Sequence, residues 1–229
     1  MSKTTYSKVL IIGASRGLGF GLAQRYLERG SEVMGTERLG RKGSGLQALQ
    51  AQDSKLTIEH VDIDSERDIT ELASRLRGHS FDLVFVNAGT LGDASAPFAT
   101  QVEQVMKTNV AGAMTAARAL RSLVRHDGAL AVMSSGLGSI SGNVAGGWEP
   151  YRSSKAALNQ SLRSFAVECA DAQFSLTAVA PGWVRTEMGG DDAPLDVETS
   201  TGGIADMLES RIGARGLAFL DYRSETLPW

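Results

Sequence analysis

Short apolar runs alternate with longer amphipathic stretches along most of the chain. The runs at residues 9–12 and 81–86 are almost wholly apolar, a pattern typical of strands buried on both faces of a parallel sheet. Further strands are predicted at residues 32–36, 56–61, 129–133, 174–180 and 217–220. Because strands alternating with helices favour crossover units, the pattern predicts an α/β fold with a doubly wound parallel sheet of about seven strands, a Rossmann fold.

Helical patterns fill the intervals between these strands. A helix follows the first strand as far as residue 29, and others are predicted at residues 46–50, 65–77 and 198–209. A longer helical region, continuous or broken, covers residues 101–125. Leu158, Leu162 and Phe165 form an apolar stripe at helical spacing in one more helix. Since neither a repeat nor a linker divides the chain, we expect a single domain over residues 1–229.

Composition and charge exclude several classes of function. The net charge of −3 gives no reason to expect nucleic acid or an anionic membrane surface as a partner. Cys169 is the single cysteine and the three histidines lack ligand spacing, so we expect neither a disulfide nor a metal site. The N-terminus has no signal-peptide pattern, and no apolar run approaches the ~18 residues of a membrane span. We therefore expect a cytoplasmic protein with no membrane partner.

A glycine-rich turn joins the first strand to the first helix. Glycines allow a tight turn and close approach of the backbone to a ligand, and a helix N-terminus offers N–H groups to a pyrophosphate. The spacing is G-x-x-x-G-x-G rather than the commoner G-x-G-x-x-G, but the order strand, turn, helix is that of a dinucleotide site. The candidate cofactor-binding residues of this turn are Gly13, Ser15, Arg16, Gly17, Leu18 and Gly19.

The residues that follow the second strand give opposing signals about the cofactor. Glu37 can bind both hydroxyls of an adenosine ribose and repel a 2′-phosphate, which favours NAD. Arg38, together with Arg16, would attract a 2′-phosphate, which favours NADP. Arg38 and Arg41 are equally consistent with solvated surface cations. We lean towards NADP because two cations face one carboxylate.

Further candidate contacts follow the later strands. Asp62 and Ile63 follow the third strand, where Asp62 is equally consistent with a strand-end cap, and Asn87, Ala88 and Gly89 follow the fourth. Because the carboxyl ends of parallel strands meet at one edge of a sheet, these positions predict a single ligand site there. The corresponding residues after the fifth and sixth strands are Ser135, Pro181, Gly182, Val184 and Thr186.

Tyr151 and Lys155 are four residues apart and therefore share one face of a helix. A nearby ammonium favours a phenolate, so we expect Lys155 to lower the pKa of Tyr151 from its usual ~10. Such a tyrosine can exchange a proton with a reacting oxygen near neutral pH. Taken alone, the pair is more typical of a surface tyrosine and a lysine whose stem covers apolar surface, so the rest of the chain has to carry the functional interpretation. Asn109, inside the long helical region, is on its own consistent with a structural residue.

Together these segments resemble the short-chain dehydrogenase/reductase family over nearly the whole chain. Within the family the chain is similar to sniffer-like carbonyl reductases and to bacterial C-factor proteins, through SSGLGSISGN, GGW-x-x-YRSSKAALN and FLDYRSETLPW. The family motifs are GASRGLG at residues 13–19, NAG at 87–89, KTNV around Asn109, SS at 134–135, YxxxK at 151–155 and PGWVRTEM at 181–188.

The resemblance implies an NAD(P)-dependent oxidoreductase that moves a hydride between the nicotinamide and a ketone, an aldehyde or a secondary alcohol. It implies that Tyr151 is the general acid or base, and that Lys155 lowers the pKa of Tyr151 and binds the nicotinamide ribose. Ser135 would bind the substrate oxygen, and Asn109 would hold a water in a proton relay. Residues 184–186 would contact the nicotinamide carboxamide.

The serine position departs from the family pattern. In most members the catalytic serine lies roughly thirteen positions before the tyrosine, and Gly138 occupies that position here. Ser135 lies sixteen positions before Tyr151, and Ser139 lies twelve before it. We predict that Ser135 is the catalytic serine because it directly follows a strand, with Ser139 as the alternative.

Two further expectations come from the resemblance. A cofactor-binding signalling or regulatory protein with little catalysis is the rival hypothesis, because C-factor proteins are among the similar ones. Relatives form homodimers or homotetramers through their two long helices, and the alanine-rich residues 111–120 are compatible with such packing. We therefore expect a homo-oligomer that acts on a small-molecule carbonyl or alcohol.

Overall fold

The computed structural model describes residues 5–40 and 43–229, so Arg41 lies outside the described residues. The strands are β1 Lys8–Ile12, β2 Glu32–Glu37, β3 Leu56–His60, β4 Phe81–Val86, β5 Val124–Met133, β6 Ser175–Ala180 and β7 Gly216–Asp221. They form one sheet in the order β3-β2-β1-β4-β5-β6-β7, with every neighbouring pair parallel. The order reverses between β1 and β4, which confirms the predicted doubly wound sheet. The single domain over residues 1–229 stays a prediction, which one continuous sheet supports.

Helices cover both faces of this sheet. They are α1 Gly17–Glu28, α2 Gly45–Gln50, α3 Glu66–Arg75, α4 Phe98–Met106, α5 Ala113–Leu120, α6 Glu149–Glu168 and α7 Val197–Glu209. Every predicted strand and helix is present, with ends that differ by a few residues except in β5. That strand begins five residues earlier than predicted, at Val124, and its register against β4 shifts between Phe81 and Leu83.

The core has two layers because successive strand side chains point to opposite faces of the sheet. In β1, Leu10 packs into the layer that contains Leu158 and Phe165 of α6. Its neighbour Ile11 packs into the other layer, with Leu22 of α1. Burial of each such side chain contributes on the order of 1.5–3 kcal/mol, so the two layers hold α1 and α6 firmly against the sheet.

The long helical region is broken by one π-helical segment. Lys107–Gly112 separates α4 from α5, and Asn109 lies within it, fully buried. A β-carbon on Gly112 would lie 2.5 Å from the Ile63 carbonyl oxygen, so only glycine fits where this segment passes the end of β3. The π-helical segment therefore points the side chain of Asn109 into the protein, level with the carboxyl ends of the strands. None of the described helices is long and apolar enough to cross a membrane.

Candidate active site

A cleft of about 840 Å³ opens at the carboxyl ends of the strands. It runs along the point where the strand order reverses between β1 and β4, the usual ligand position in open α/β sheets. Most of the predicted cofactor-binding residues line it. These are Gly13, Ser15, Arg16, Gly17, Leu18, Glu37, Arg38, Asp62, Ile63, Asn87, Ala88, Gly89, Tyr151, Lys155, Pro181 and Thr186.

The glycine turn is built by close backbone contacts. Gly13 has φ +88°, and a β-carbon there would lie 2.9 Å from the Ala88 Cα atom. A β-carbon on Gly19 would lie 2.0 Å from the Gly13 carbonyl oxygen. Asn87 donates a 2.8 Å hydrogen bond from Nδ2 to that same oxygen, so β4 is tied to the turn. The side-chain amide of Asn87 thus holds the glycine turn in place, and the residue also lines the cleft.

The N-terminus of α1 opens into the cleft. Arg16 is its N-cap residue and its side chain makes no capping hydrogen bond, so the first backbone N–H groups are available to an anion. Gly17 has φ +55°, and a β-carbon there would lie 3.7 Å from Thr186 Cγ2. The residues that follow β6 therefore close over the glycine turn. This arrangement fits a pyrophosphate held between the helix N-terminus and residues 181–188.

Glu37 supplies an unsatisfied acceptor at the far end of the cleft. The residue is only 2% exposed. Its Oε1 accepts a hydrogen bond from Gln47, whereas Oε2 is buried with no hydrogen-bond partner among the described residues. A buried carboxylate oxygen without a donor is costly, so this oxygen fits a ribose hydroxyl. Arg38 is exposed beside it.

The third strand end is partly self-capped. Asp62 Oδ1 accepts a 3.0 Å hydrogen bond from the Asp64 backbone N–H, which realises the strand-end cap that the sequence left open. Asp62 and Ile63 nevertheless both line the cleft. Both residues therefore remain candidates for a ligand contact.

Tyr151 lines the cleft, and Ser135, which is not among the lining residues, lies beside its phenol. Their side chains are hydrogen-bonded to each other. The Ser135 hydroxyl also accepts a 3.1 Å bond from the Leu137 backbone N–H, which fixes its rotamer. The Ser139 hydroxyl instead accepts from the Gly142 backbone N–H at 3.0 Å and is buried. The structure thus brings Ser135, not Ser139, to the tyrosine.

The pKa of Tyr151 differs from the expectation. Burial raises its pKa to about 12, and the hydrogen bond to Ser135 opposes that rise. Lys155 Nζ lies 5.7 Å from the centre of the tyrosine ring. The prediction that Lys155 lowers the pKa of Tyr151 is therefore wrong for this structure, because loss of hydration outweighs an ammonium at that distance. Tyr151 is a protonated phenol at neutral pH, the form that donates a proton.

Lys155 is buried and held by one backbone group. Its Nζ donates a 2.9 Å hydrogen bond to the Met133 carbonyl oxygen at the end of β5. Burial lowers the pKa of Lys155 to about 8. The ammonium is thus charged at neutral pH, although burial brings its deprotonation close to that range.

Asn109 is fully engaged by the protein. Its Nδ2 donates to the Thr90 carbonyl oxygen at 2.8 Å and to Ser154 Oγ at 3.0 Å, and its Oδ1 accepts from the Thr90 N–H at 2.8 Å. Ser154 in turn donates to the Tyr151 carbonyl oxygen at 2.7 Å. Both amide N–H donors are therefore committed, so the side chain ties α6 to the loop after β4. A water molecule in the predicted proton relay could therefore bond only to the remaining lone pair of the Asn109 Oδ1 atom.

Three predicted cofactor residues do not line the cleft. Gly19 is packed inside the turn. Gly182 faces Leu195, to which a β-carbon would come within 2.5 Å, and Val184 is buried and bridges to Leu195. Packing occupies the side-chain side of each position, and after β6 the chain continues into a bridged turn, so a cofactor contact there would have to come from the backbone and stays a prediction. The wall there is formed by Pro181, Thr186, Glu187 and Met188.

Several lining residues were missed from the sequence. Ser134 belongs to the SS motif, yet only the structure shows that it faces the cleft while its neighbour faces Tyr151. Lys107 precedes Asn109 by two positions, and the π-helical turn brings it to the wall. In the sequence, Glu187 could be noticed only as a charged residue next to the predicted site residue Thr186. The remaining additions are Ile12, Thr36, Val61, Asp64, residues 90–93, Gln104, Thr108, Met133 and Met188.

Comparison with known proteins gives matches along most of the chain. A family model described as short chain dehydrogenase matches residues 7–194. A short-chain dehydrogenase/reductase structure from Burkholderia multivorans with bound NADP has TM-score 0.93 and 43% identity, covering 98% of this chain and 100% of its own. The carbonyl reductase Sniffer of D. melanogaster has TM-score 0.85 and 29% identity, covering 97% of this chain and 99% of that one.

A curated relative extends the comparison to a differently named protein. The C-signal protein of Myxococcus xanthus is 31% identical over 153 residues, which are 65% of this chain and 92% of that protein. The family model alone spans well over half of the present chain, and its boundaries include the glycine turn, Asn109, Ser135, Tyr151 and Lys155. This chain therefore belongs to the short-chain dehydrogenase family.

Proposed function

We propose that the chain is an NADP-dependent carbonyl reductase that also runs the reverse oxidation of a secondary alcohol. The hydrogen bond between Ser135 and Tyr151, at the end of a dinucleotide-sized cleft, carries the proposal. A purely structural Rossmann domain would have no need of a phenol, a hydroxyl and a buried ammonium at one strand edge. Sniffer, a carbonyl reductase, and the NADP-bound Burkholderia protein share this fold.

The cofactor would supply the hydride, and the chain would position and stabilise the reacting groups. The helix N-terminus at Gly17 would bind the pyrophosphate, Glu37 the adenosine ribose, and Lys155 the nicotinamide ribose. Asp62 and Ile63 would stand against the adenine. Thr186 would lie beside the carboxamide.

The proton step follows from the state of Tyr151. Its pKa of about 12 keeps the phenol protonated at neutral pH, so it can donate to a carbonyl oxygen as charge develops there. Ser135 would hydrogen-bond the same oxygen and stabilise the alkoxide character. The same Ser135 hydroxyl, which lowers the pKa of the phenol, would also stabilise the phenolate that remains after donation. In the oxidative direction Tyr151 must first lose its proton, which the raised pKa opposes.

NADP is favoured over NAD by charge and by the relatives. Arg16 and Arg38 line the cleft, while one oxygen of the Glu37 carboxylate is already occupied by a hydrogen bond from Gln47. The Burkholderia structure, 43% identical, holds NADP. Paired fluorescence titrations with NADPH and NADH test this choice. A dissociation constant for NADH equal to or below that for NADPH would show that Glu37 dominates.

A panel of ketones, aldehydes and secondary alcohols, followed at the nicotinamide absorbance, tests the activity itself. We expect turnover with NADPH and at least one ketone or aldehyde. The rival role, a cofactor-binding signalling protein, is supported by the C-signal match. Tight cofactor binding without turnover across the panel would favour that rival, whereas the presence of Tyr151 and Lys155 at the cleft argues against it.

Oligomeric state and location complete the proposal. A homodimer or homotetramer through α4 to α6 is supported by Val167 of α6, which is 74% exposed. Part of the alanine-rich stretch is buried within the chain's own core, at residues 113, 116, 117 and 120. These residues would pack beneath the interface and would not contact the partner subunit. A reducing, cytoplasmic location is supported by the single unpaired Cys169.

A further inference from the structure

A second buried amide lies one turn beyond Lys155 on α6. Asn159 is 4% exposed, between the buried apolar residues Leu158 and Leu162 of the same helix. Its Oδ1 accepts a 2.6 Å hydrogen bond from the Ser134 hydroxyl, and its Nδ2 lies 3.4 Å from the Gly138 carbonyl oxygen as donor. Asparagine is a poor residue for a helix interior, and burying its amide costs free energy unless it is bonded. The residue therefore has a role in holding the turn that it bonds.

The turn in question spans residues 134–138 and carries Ser135. It is pressed against α6 so closely that a β-carbon on Gly138 would lie 2.9 Å from the Lys155 Cβ and 3.0 Å from Asn159 Nδ2. This contact explains why the position usually occupied by the catalytic serine is glycine here. Because this turn is packed closely against α6, Ser135 has little freedom to move relative to Tyr151.

The helix itself is anchored independently. Asn109 and Ser154 tie the first turn of α6 to the loop after β4, and Leu158, Leu162 and Phe165 bury its apolar stripe. Loss of the Asn159 bonds would therefore leave α6 in place and release the turn. The part that would move is the part that bears Ser135.

We propose that Asn159 is a positioning residue, which clamps the 134–138 turn onto α6 through Ser134 and Gly138 and thereby sets the hydrogen bond between Ser135 and Tyr151. This inference rests on the proposed function, since it assigns Ser135 and Tyr151 to the reaction. Asn159 itself does not line the cleft, and it touches the cleft wall only through its hydrogen bond with Ser134. Its effect is transmitted through Ser135 alone.

Kinetics of single and double variants test the transmission. We expect Asn159→Ala to lower kcat about tenfold with the NADPH dissociation constant unchanged, and Ser134→Ala, a change at the cleft wall, to lower kcat to a similar extent, because one well-placed hydrogen bond is loosened. The double variant S135A/N159A should be no slower than S135A. Gln160→Ala, an exposed neighbour on the same helix, is the control and should match the wild type. Multiplication of the two effects in the double variant would overturn the proposal.

A second readout works without turnover and separates this inference from the proposed function. In protein with ¹³Cζ-labelled tyrosine, the resonance of Tyr151 (identified by its loss in Tyr151→Phe) reports the bond to Ser135. We expect S135A, S134A and N159A to shift it in the same direction and Gln160→Ala to leave it unchanged. A lowered melting temperature in N159A with an unmoved resonance would mean a purely structural role. If N159A does not fold, Ser134→Ala, which removes a single oxygen atom from the same hydrogen bond, provides the same test.

Discussion

Arg16 and Glu187 form an ion pair that joins the glycine turn to the segment after β6. Both residues line the cofactor cleft and both side chains are more than half exposed, at 53% and 75%. Arg16 is one of the two arginines that we expect to attract a 2′-phosphate. If it does so, Glu187 competes with that phosphate for the same guanidinium.

Glu187→Gln should tighten NADPH binding while leaving NADH binding nearly unchanged. An exposed pair contributes at most about 1 kcal/mol, so we expect a two- to fivefold lower dissociation constant for NADPH. Glu198→Gln removes an exposed carboxylate that pairs with Arg25 and is the matched control. Equal changes for the two cofactors would show that Arg16 does not contact the 2′-phosphate.

Tyr151→Phe should abolish turnover and preserve cofactor binding. The ring stays in place while the proton donor is lost, and general acid–base groups contribute about 10²–10⁴-fold to rate. Tyr222→Phe, a tyrosine outside the cleft lining, controls for loss of a phenol. Measurements of kcat and of the NADPH dissociation constant check both halves of the prediction. Wild-type turnover in Tyr151→Phe would exclude the proposed proton donor.

The rate of alcohol oxidation should rise with pH throughout the neutral and alkaline range. Oxidation needs the Tyr151 phenolate, and burial raises the pKa of that phenol to about 12, so its deprotonated fraction grows with pH. Ser135→Ala removes the bond that lowers this pKa, so its profile should lie at still higher pH. Initial rates from pH 7 to 10 check that both profiles are still rising at pH 10. A plateau below pH 10 in either protein would contradict the assignment.

Burial of Lys155 should make stability depend on pH. Its pKa in the folded protein is about 8, below the ordinary 10.5, so between these values the unfolded chain binds more protons and this group makes stability rise with pH. Lys155→Met removes the buried charge, so its advantage in unfolding free energy over the wild type should shrink from pH 7 to pH 9.5. Urea denaturation at both pH values measures this difference.

Lys8→Met, at an exposed lysine, is the control and should show a constant difference from the wild type. A constant difference for Lys155→Met as well would mean that the ammonium is hydrated in solution.

Adjacent glycines of α7 should respond in opposite directions to alanine. A β-carbon on Gly202 meets only ordinary contacts at 3.8 Å or more, so Gly202→Ala should raise the free energy of unfolding by about 0.5–1 kcal/mol. A β-carbon on Gly203 would lie 2.3 Å from the Tyr222 carbonyl oxygen, so Gly203→Ala should destabilise the protein. Thermal and urea unfolding of the two variants check the signs.

The alternation of apolar runs and helical stripes was sufficient to predict the sheet, its strands and the edge at which the site lies. Periodicity is a local property, and alternation of strands with helices favours parallel crossover units, so the sheet type can be inferred from the sequence. The resemblance supplied the roles of Tyr151, Lys155 and Ser135 as a set. None of this required knowledge of which atoms touch.

Contacts between distant segments could be decided only by the tertiary structure. The raised pKa of Tyr151 follows from burial by surrounding elements, which the four-residue spacing to Lys155 does not report. Asn109 is committed to Thr90 and Ser154, and Gly182 and Val184 turn away from the cleft, because packing at strand ends sets which side faces the ligand.

The sequence by itself determined that a tyrosine, a lysine and a serine would reach one edge of the sheet. Which serine meets Tyr151 depended on the approach of the 134–138 turn to α6, where Gly138 lies against Lys155 and leaves Ser135 free to bond the phenol. How closely the turn packs against α6 depends on contacts between side chains and backbone of separate segments. The spacing of residues along the sequence does not give these contact distances.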